Sequence, residues 1–303
     1  MTASKTEQIK AMVLLNTACI LWACNILFGR MLREFIGPLF IIAVRSVVGA
    51  LVFALVVWFF GRRDLLRRVA DWPTVILMGL CGVVLFQIMF YYALRYTSVL
   101  NVGLLNGFIP LATALLAMVF LRERMMWQQW LALLTTIAGI IWIMSGGEVS
   151  NLLQLTLNTG DILMLGAVFS WAIYGILGKR LMNKLTVMEV TALGLFVAVL
   201  PVLPMASWEA TIIPPELNLF VIFALVFICI GPTILCLFWW NMGVKLIGPA
   251  HAAIYMNLVP VYAALLSYFF LGETLGWHHL GGGILVLGAS LFVGLVTIRT
   301  GQP

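Results

Sequence analysis

Residues 110–127 read PLATALLAMVFLRERMMW and residues 260–277 read PVYAALLSYFFLGETLGW, agreeing at eight of eighteen positions. Pro110 falls on Pro260, Ala114-Leu115-Leu116 on Ala264-Leu265-Leu266, Phe120-Leu121 on Phe270-Leu271, Glu123 on Glu273 and Trp127 on Trp277. Further upstream, an offset of 149 sets Trp22-Ala23 on Trp171-Ala172, Gly29 on Gly178 and Arg30 on Lys179. The chain is therefore an internal duplication. Each half holds about five apolar segments of membrane-spanning length. Because five is odd, the second half must enter a membrane from the opposite face.

Composition supports a bilayer environment. The 303 residues are 63% hydrophobic and 9% charged, with a mean hydropathy of +1.12; soluble domains carry about 25% charged residues. The net charge is +6. The basic residues sit in short loops between apolar runs, which fits membrane topology and argues against nucleic-acid binding. Cys19, Cys24, Cys81, Cys229 and Cys236 lie inside apolar segments without metal-knuckle spacing and read as small buried side chains. Lys5 and Lys10 precede an apolar run that ends at Phe28, with no small-residue cleavage site after it and Arg30 and Arg33 closing it. That segment reads as a first membrane helix rather than a cleaved signal.

Runs long enough to cross the hydrocarbon core, about 20 residues, lie near 11–29, 37–60, 73–94, 99–120, 127–145, 160–178, 187–206, 218–242, 249–270 and 277–297. The expected fold is an all-α integral membrane protein of ten transmembrane helices, built as two inverted five-helix repeats over residues 1–147 and 158–299. The polar stretch from Gly146 to Thr159 divides them. With a cytoplasmic N-terminus, thirteen Lys and Arg fall on the cytoplasmic side, three (Arg30, Arg33, Arg95) on the other, and Arg45 inside a span. This asymmetry predicts cytoplasmic N- and C-termini and a multi-pass protein of the inner (cytoplasmic) membrane. Inverted repeats of this kind are a common construction among secondary transporters.

The prolines come first among candidate functional residues. Pro110 and Pro260 lie near the middle of their spans, and a proline there frees the carbonyl four residues back, at Asn106 and Met256. Such breaks either pack as kinks or line a wet cavity, where freed backbone is tolerated at membrane depth. Paired breaks in the two halves point to a central binding site. Polar and aromatic residues near them are candidate lining: Trp22 and Asn25 on the first span, Gln87 on the third, Asn101 and Asn106 on the fourth, Trp171 and Tyr174 on the sixth, Trp239 on the eighth, and His251, Tyr255 and Asn257 on the ninth. His251, Tyr255, Leu258 and Tyr262 follow helical spacing and are expected on one face. Tyr91, Tyr92, Trp240 and Asn241 are further candidates for this lining, though the tyrosines and Asn241, near span ends, read more readily as interhelical glue or interface anchors. Arg45 is a charge within a span and hence a functional candidate by position, a partner for a substrate carboxylate or else a snorkelling residue. Glu123, Glu273, Asp161 and Glu189 stand before helices, where carboxylates complement the N-terminal dipole. Gly103 and Gly107 form a GxxxG packing face.

No phosphate-binding Gly-rich loop, HExxH, acid pair or Ser/His/Asp set occurs. No catalytic residue, metal or cofactor is therefore expected. The partners expected are a small-molecule substrate and the lipid bilayer, and a monomer suffices for such a site.

The chain resembles the EamA-type branch of the drug/metabolite transporter superfamily. The similarity is carried by Pro110 through Leu121-Arg122-Glu123 to Gly139 and by its echo from Pro260 through Leu271-Gly272-Glu273 to Gly288, with Trp22, Trp171 and Arg45 at further pattern positions. Arg122 stands where the pattern has glycine. The resemblance implies alternating-access export of small metabolites such as amino acids, with aromatic amino acid exporters of the YddG kind as the nearest subtype. No carboxylate lies in mid-span, so a facilitator without proton coupling is expected; a proton-coupled exporter of drugs or other metabolites is the alternative. A channel would need a ring of like charges or carbonyls along a pore.

Overall fold

A computed structural model of the chain describes residues 5–60, 65, 69, 71–97, 102, 105–122, 126–145, 147–148, 150, 158–271 and 276–300. Among the described residues every regular element is helical, and each of the ten apolar runs carries helix. The first two runs form α1 (Lys5–Leu32) and α2 (Pro38–Phe60). The third is α3 (Trp72–Gly79), a π-helical turn (Leu80–Leu85) and α4 (Phe86–Tyr96). Then come α5 (Ile109–Phe120), α6 (Trp127–Met144), α7 (Thr159–Leu181) and α8 (Val187–Ile212). The eighth run is α9 (Leu219–Ile228), a π-helical turn (Cys229–Leu235) and α10 (Cys236–Ile247). The ninth is α11 (Pro249–Ile254), a 3₁₀ turn (Tyr255–Asn257) and α12 (Leu258–Leu271), and α13 (Trp277–Thr300) closes the order. Seven helical segments among the described residues are long and apolar enough to span a bilayer, while Ile109–Phe120 and Leu280–Ala289 are shorter apolar helices. Asn101, Gly103, Glu123 and Glu273 lie outside the described residues.

The helix ends follow from their side chains. Asn158 and Asp161 form a reciprocal capping box at the start of α7, and Thr186 and Glu189 form one at the start of α8, each satisfying two orphan N–H groups. Asp161 and Glu189 thus take the helix-start role expected of them. Asp71 caps α3 through the Thr74 N–H, and Asn218 caps α9 through that of Val221. α10 stops at Gly248, whose φ of 81° favours a residue without a Cβ.

Packing repeats with the halves exchanged. α4 packs on α7 as α10 packs on α1; α5 packs on α7 as α12 packs on α1. The first π turn packs on α8 as the second packs on α2. The self-paired contacts are α2 with α8 and α6 with α13. Outward faces carry exposed Phe59, Val119, Leu200, Leu219 and Phe269, the apolar surface that lipid covers in a bundle of this kind.

The interruptions also occur in pairs. The fourth run breaks at Gly107–Phe108, and α5 starts afresh with Pro110 in its first turn. The ninth tightens into 3₁₀ just before Pro260. The two π turns match across the repeat, Gly82 falling on Gly231 at offset 149. π turns insert an extra residue and are frequent at functional sites. At Gly82 the close neighbour is Tyr174, whose Cδ2 lies 2.1 Å from where a Cβ would stand.

Candidate functional site

The breaks surround a cavity at the junction of the halves. Trp22, Asn25, Arg45, Gln87, Asn106 and Trp171, all expected lining residues, are on its wall. Ile26, Phe86, Phe90, Leu237, Met256 and Val259 complete it. The wall is chemically divided. Its polar members, Asn25, Arg45, Gln87 and Asn106, come from the first half, whereas the second half supplies Trp171, Leu237, Met256 and Val259. The repeat partner of Asn106 is Met256 at offset 150, and at offset 149 Arg45 falls on Gly194. Duplication gave the cavity lining from both halves, and side-chain divergence left its hydrogen-bonding amides and its charge on the first, beside that half's own Trp22, Ile26, Phe86 and Phe90.

Arg45 organises the polar wall. It is 3% exposed. Its Nε donates to Thr233 Oγ1 at 2.8 Å, and its Nη1 donates to Gln87 Oε1 at 2.8 Å and to Tyr91 Oη at 3.2 Å. Tyr91 donates onward to Asn25 Oδ1 at 3.2 Å. Among the described residues no carboxylate pairs with Arg45. The snorkelling alternative is not what the fold adopts: the guanidinium binds side chains from α4 and the second π turn. That turn makes the site possible, because Thr233 donates to Ile228 O five residues back and so turns its oxygen toward Arg45. Burying a guanidinium without a counter-charge is expensive, and neutral hydrogen bonds offset that only in part.

The aromatic wall centres on three indoles. Trp22 and Trp171, equivalent in the repeat, meet edge to face at 5.6 Å, and Trp240 lies 5.7 Å from Trp22 and 5.5 Å from Trp171. Phe86 lies 4.7 Å from Trp171. Trp22 Nε1 donates to Pro232 O at 3.2 Å, a carbonyl of the π turn. Among the described residues the buried Trp171 Nε1 has no partner, and the side chain of Asn106, 3% exposed, borders the cavity. An unpaired buried donor costs about 1–3 kcal/mol, so the indole N–H favours a ligand that satisfies it.

The remaining expected residues lie off this wall. Tyr174 is buried behind Trp171, and its hydroxyl pairs with Asn241, whose Nδ2 also donates to Thr191 Oγ1 at 2.8 Å; this locks α7, α8 and α10 together. Trp239, half-buried, and Trp240, fully buried against Trp22 and Trp171, both lie off the cavity wall, and Leu237 is the residue of α10 that reaches it. Tyr255 and Asn257 lie in the 3₁₀ turn, where their neighbour Met256 reaches the cavity instead. Both amide atoms of Asn257 are buried, without partners among the described residues. His251 is buried with its ring against the Gln129 amide. The single face expected for His251, Tyr255, Leu258 and Tyr262 is broken because a 3₁₀ turn takes three residues per turn. Tyr91, read as an anchor or glue, is instead the link between Arg45 and Asn25.

These features define a helical membrane protein with an amphipathic cavity between two duplicated halves. Residues 9–145 and 158–295 each match the model of the EamA-like transporter family, and the chain belongs to that family. The uncharacterized transporter YyaM of Bacillus subtilis is 26% identical over 74% of this chain and 73% of its own length. The S-adenosylmethionine uptake transporter of Rickettsia felis is 28% identical over 67% of this chain and 65% of its own. A solved crystal structure shares the fold with a TM-score of 0.76 at 17% identity, covering 96% of this chain and 98% of that one.

Proposed function

We propose that the protein is a ten-span carrier of the inner membrane, with both termini cytoplasmic. It exports a small amphipathic metabolite with an apolar or aromatic body and a carboxylate, and an aromatic amino acid is the favoured case. The observation that carries this reading is the mixed lining: a buried guanidinium at Arg45, hydrogen-bonded but without a carboxylate partner among the described residues, shares the cavity with the indoles of Trp22 and Trp171. The carboxylate takes the charge of Arg45, the ring packs on the indoles, and Asn106 and Trp171 Nε1 supply hydrogen bonds to the polar remainder. Alternating access turns on the paired breaks at Gly107–Phe108 and Tyr255–Asn257. These are hinges shared by both halves.

Energy comes from the substrate gradient, since among the described residues no carboxylate lines the cavity. One observation favours a second reading, a proton-coupled exporter. Glu209 is 3% exposed near the end of α8, accepting from Phe40 N at 3.1 Å and Tyr92 Oη at 3.3 Å. A buried carboxylate of this kind can carry a proton.

Uptake of radiolabelled aromatic, aliphatic and basic amino acids and of S-adenosylmethionine into proteoliposomes tests the proposal. Saturable flux of aromatic amino acids without a pH gradient supports it. Flux confined to compounds lacking a carboxylate refutes it.

A further inference from the structure

The central cavity is not centred between the two faces. Trp22, Asn25 and Ile26 lie in the second half of α1, Phe86, Gln87 and Phe90 in α4, and Arg45 near the start of α2. All stand toward the end at which α1 and α4 finish and α2 begins, the outer end by the charge asymmetry. Toward the other end the halves close on each other. Cys19 Sγ donates to Tyr255 O at 3.1 Å, and Leu15 fills the space beside Gly243, its Cδ2 2.6 Å from where a Cβ would stand. The two broken runs also meet there: α11 packs on α5, with Ala252 and Ala253 buried on one and Ile109, Ala112 and Thr113 on the other.

A buried side-chain pair crosses this closure at the starts of α6 and α11. Gln129 Oε1 accepts from Met126 N at 2.8 Å, which turns its amide nitrogen toward His251 Nε2. An amide N–H only donates, so the ring nitrogen is the acceptor. Gln129 has no exposed area and His251 is 3% exposed. Gln129 belongs to the first half and His251 to the second, and neither lines the central cavity. A single hydrogen bond of small net worth holds two bodies in register and still breaks in every cycle. Thr113 Oγ1 is buried in the closure without a partner among the described residues. That disfavours the closed arrangement and is relieved when water enters, so the closure is poised to open.

We infer that the His251–Gln129 pair is the latch of a cytoplasmic gate. It holds α11 against the first half while the central cavity faces out, and it parts when α11 leaves α5 and the cavity opens to the cytoplasm. Both are positioning residues for transport, separate from the groups that bind substrate. The inference rests on reading the protein as an alternating-access carrier with cytoplasmic termini.

The test times cysteine labelling from each face. Right-side-out and inside-out membrane vesicles are treated with a charged methanethiosulfonate reagent, and modified cysteines are mapped by mass spectrometry. Thr113→Cys places a thiol within the closure, and Asn106→Cys places one on the cavity wall. Position 106 should label from outside, and position 113 only slowly from the cytoplasm. His251→Leu, or Gln129→Met, which keeps the side chain's length without the amide, should speed labelling at 113 about two- to tenfold, the range set by one net hydrogen bond. The two together should add little to either, because both remove the same bond. His251→Gln keeps an acceptor for the Gln129 amide and should label as wild type does. Labelling at 106 from outside should stay level or fall, because opening one face closes the other. Faster labelling at both positions means general loosening and sinks the latch, as does an unchanged rate at 113 in both variants; either result leaves the carrier reading standing. Equal labelling of both positions from both faces before any latch substitution means a pore, and sinks the carrier reading and the gate with it.

Discussion

Replacing Arg45 by Met separates a binding cation from a structural one. In the variant Thr233 keeps its bond to Ile228 O at 2.8 Å, and Tyr91 keeps its bond to Asn25 at 3.2 Å. Thr233 Oγ1, Gln87 Oε1 and Tyr91 Oη all lose the guanidinium as a donor, and Gln87 Oε1 is the one left without any hydrogen bond among the described residues, a cost of about 1–3 kcal/mol. Against this stands relief of the guanidinium's desolvation, several kcal/mol for a buried ion. Fold stability is therefore expected to stay level or rise. Substrate affinity behaves differently: a carboxylate loses a charged hydrogen bond of about 1.5–3 kcal/mol, roughly tenfold to 100-fold at 1.4 kcal/mol per decade. The assay pairs thermal unfolding in detergent with half-saturation of radiolabelled L-phenylalanine flux in proteoliposomes. A variant that unfolds early would make Arg45 a structural tie, and one with unaltered half-saturation would place the carboxylate elsewhere.

Trp171→Phe should weaken apparent affinity for an aromatic substrate about two- to tenfold, the range that aromatic pair energies of roughly 0.5–1.5 kcal/mol allow; unchanged half-saturation would remove the ring from the site. Gly82→Ala brings a Cβ to 2.1 Å from Tyr174 and should lower stability by about 1–3 kcal/mol. Gly231→Ala, its repeat partner, meets Leu21 at 3.7 Å and should melt like wild type; equal effects would contradict the packing described. Single cysteines at Arg67 and Lys184 should label only from the cytoplasm and one at Asn151 only from outside, and labelling of 67 and 151 from one face would end the inverted topology. L-phenylalanine flux should ignore an imposed pH gradient in wild type, Glu209→Gln and His251→Gln. Uphill accumulation driven by protons and lost in one variant would make that residue the coupling group.

The duplication was legible because both copies kept Pro110 and Pro260 and the same apolar and acidic neighbours. That Trp22 and Trp171 meet follows from it, since equivalent residues near a pseudo-two-fold axis approach each other. The π turns were not legible: the first contains no proline, and nothing in LCGVVL signals an extra residue. Without them the helical phase after the turn cannot be read, and from α10 it is Leu237, not Trp239 or Trp240, that reaches the cavity. The 3₁₀ turn likewise spoiled the stripe from His251 to Tyr262, and Tyr91 was missed because its position near a span end resembles that of an interfacial anchor. Arg45 was legible as a lone intramembrane charge, but Thr233, its partner, has no sequence signal without the turn that presents it.

Counterflow of L-phenylalanine in sealed proteoliposomes bears most directly on the carrier reading. Vesicles preloaded with unlabelled L-phenylalanine should take up the labelled compound faster than empty ones, with saturation and transient accumulation, because each turnover needs an occupied cavity. Flux that neither saturates nor responds to the compound inside would contradict a carrier and leave a pore.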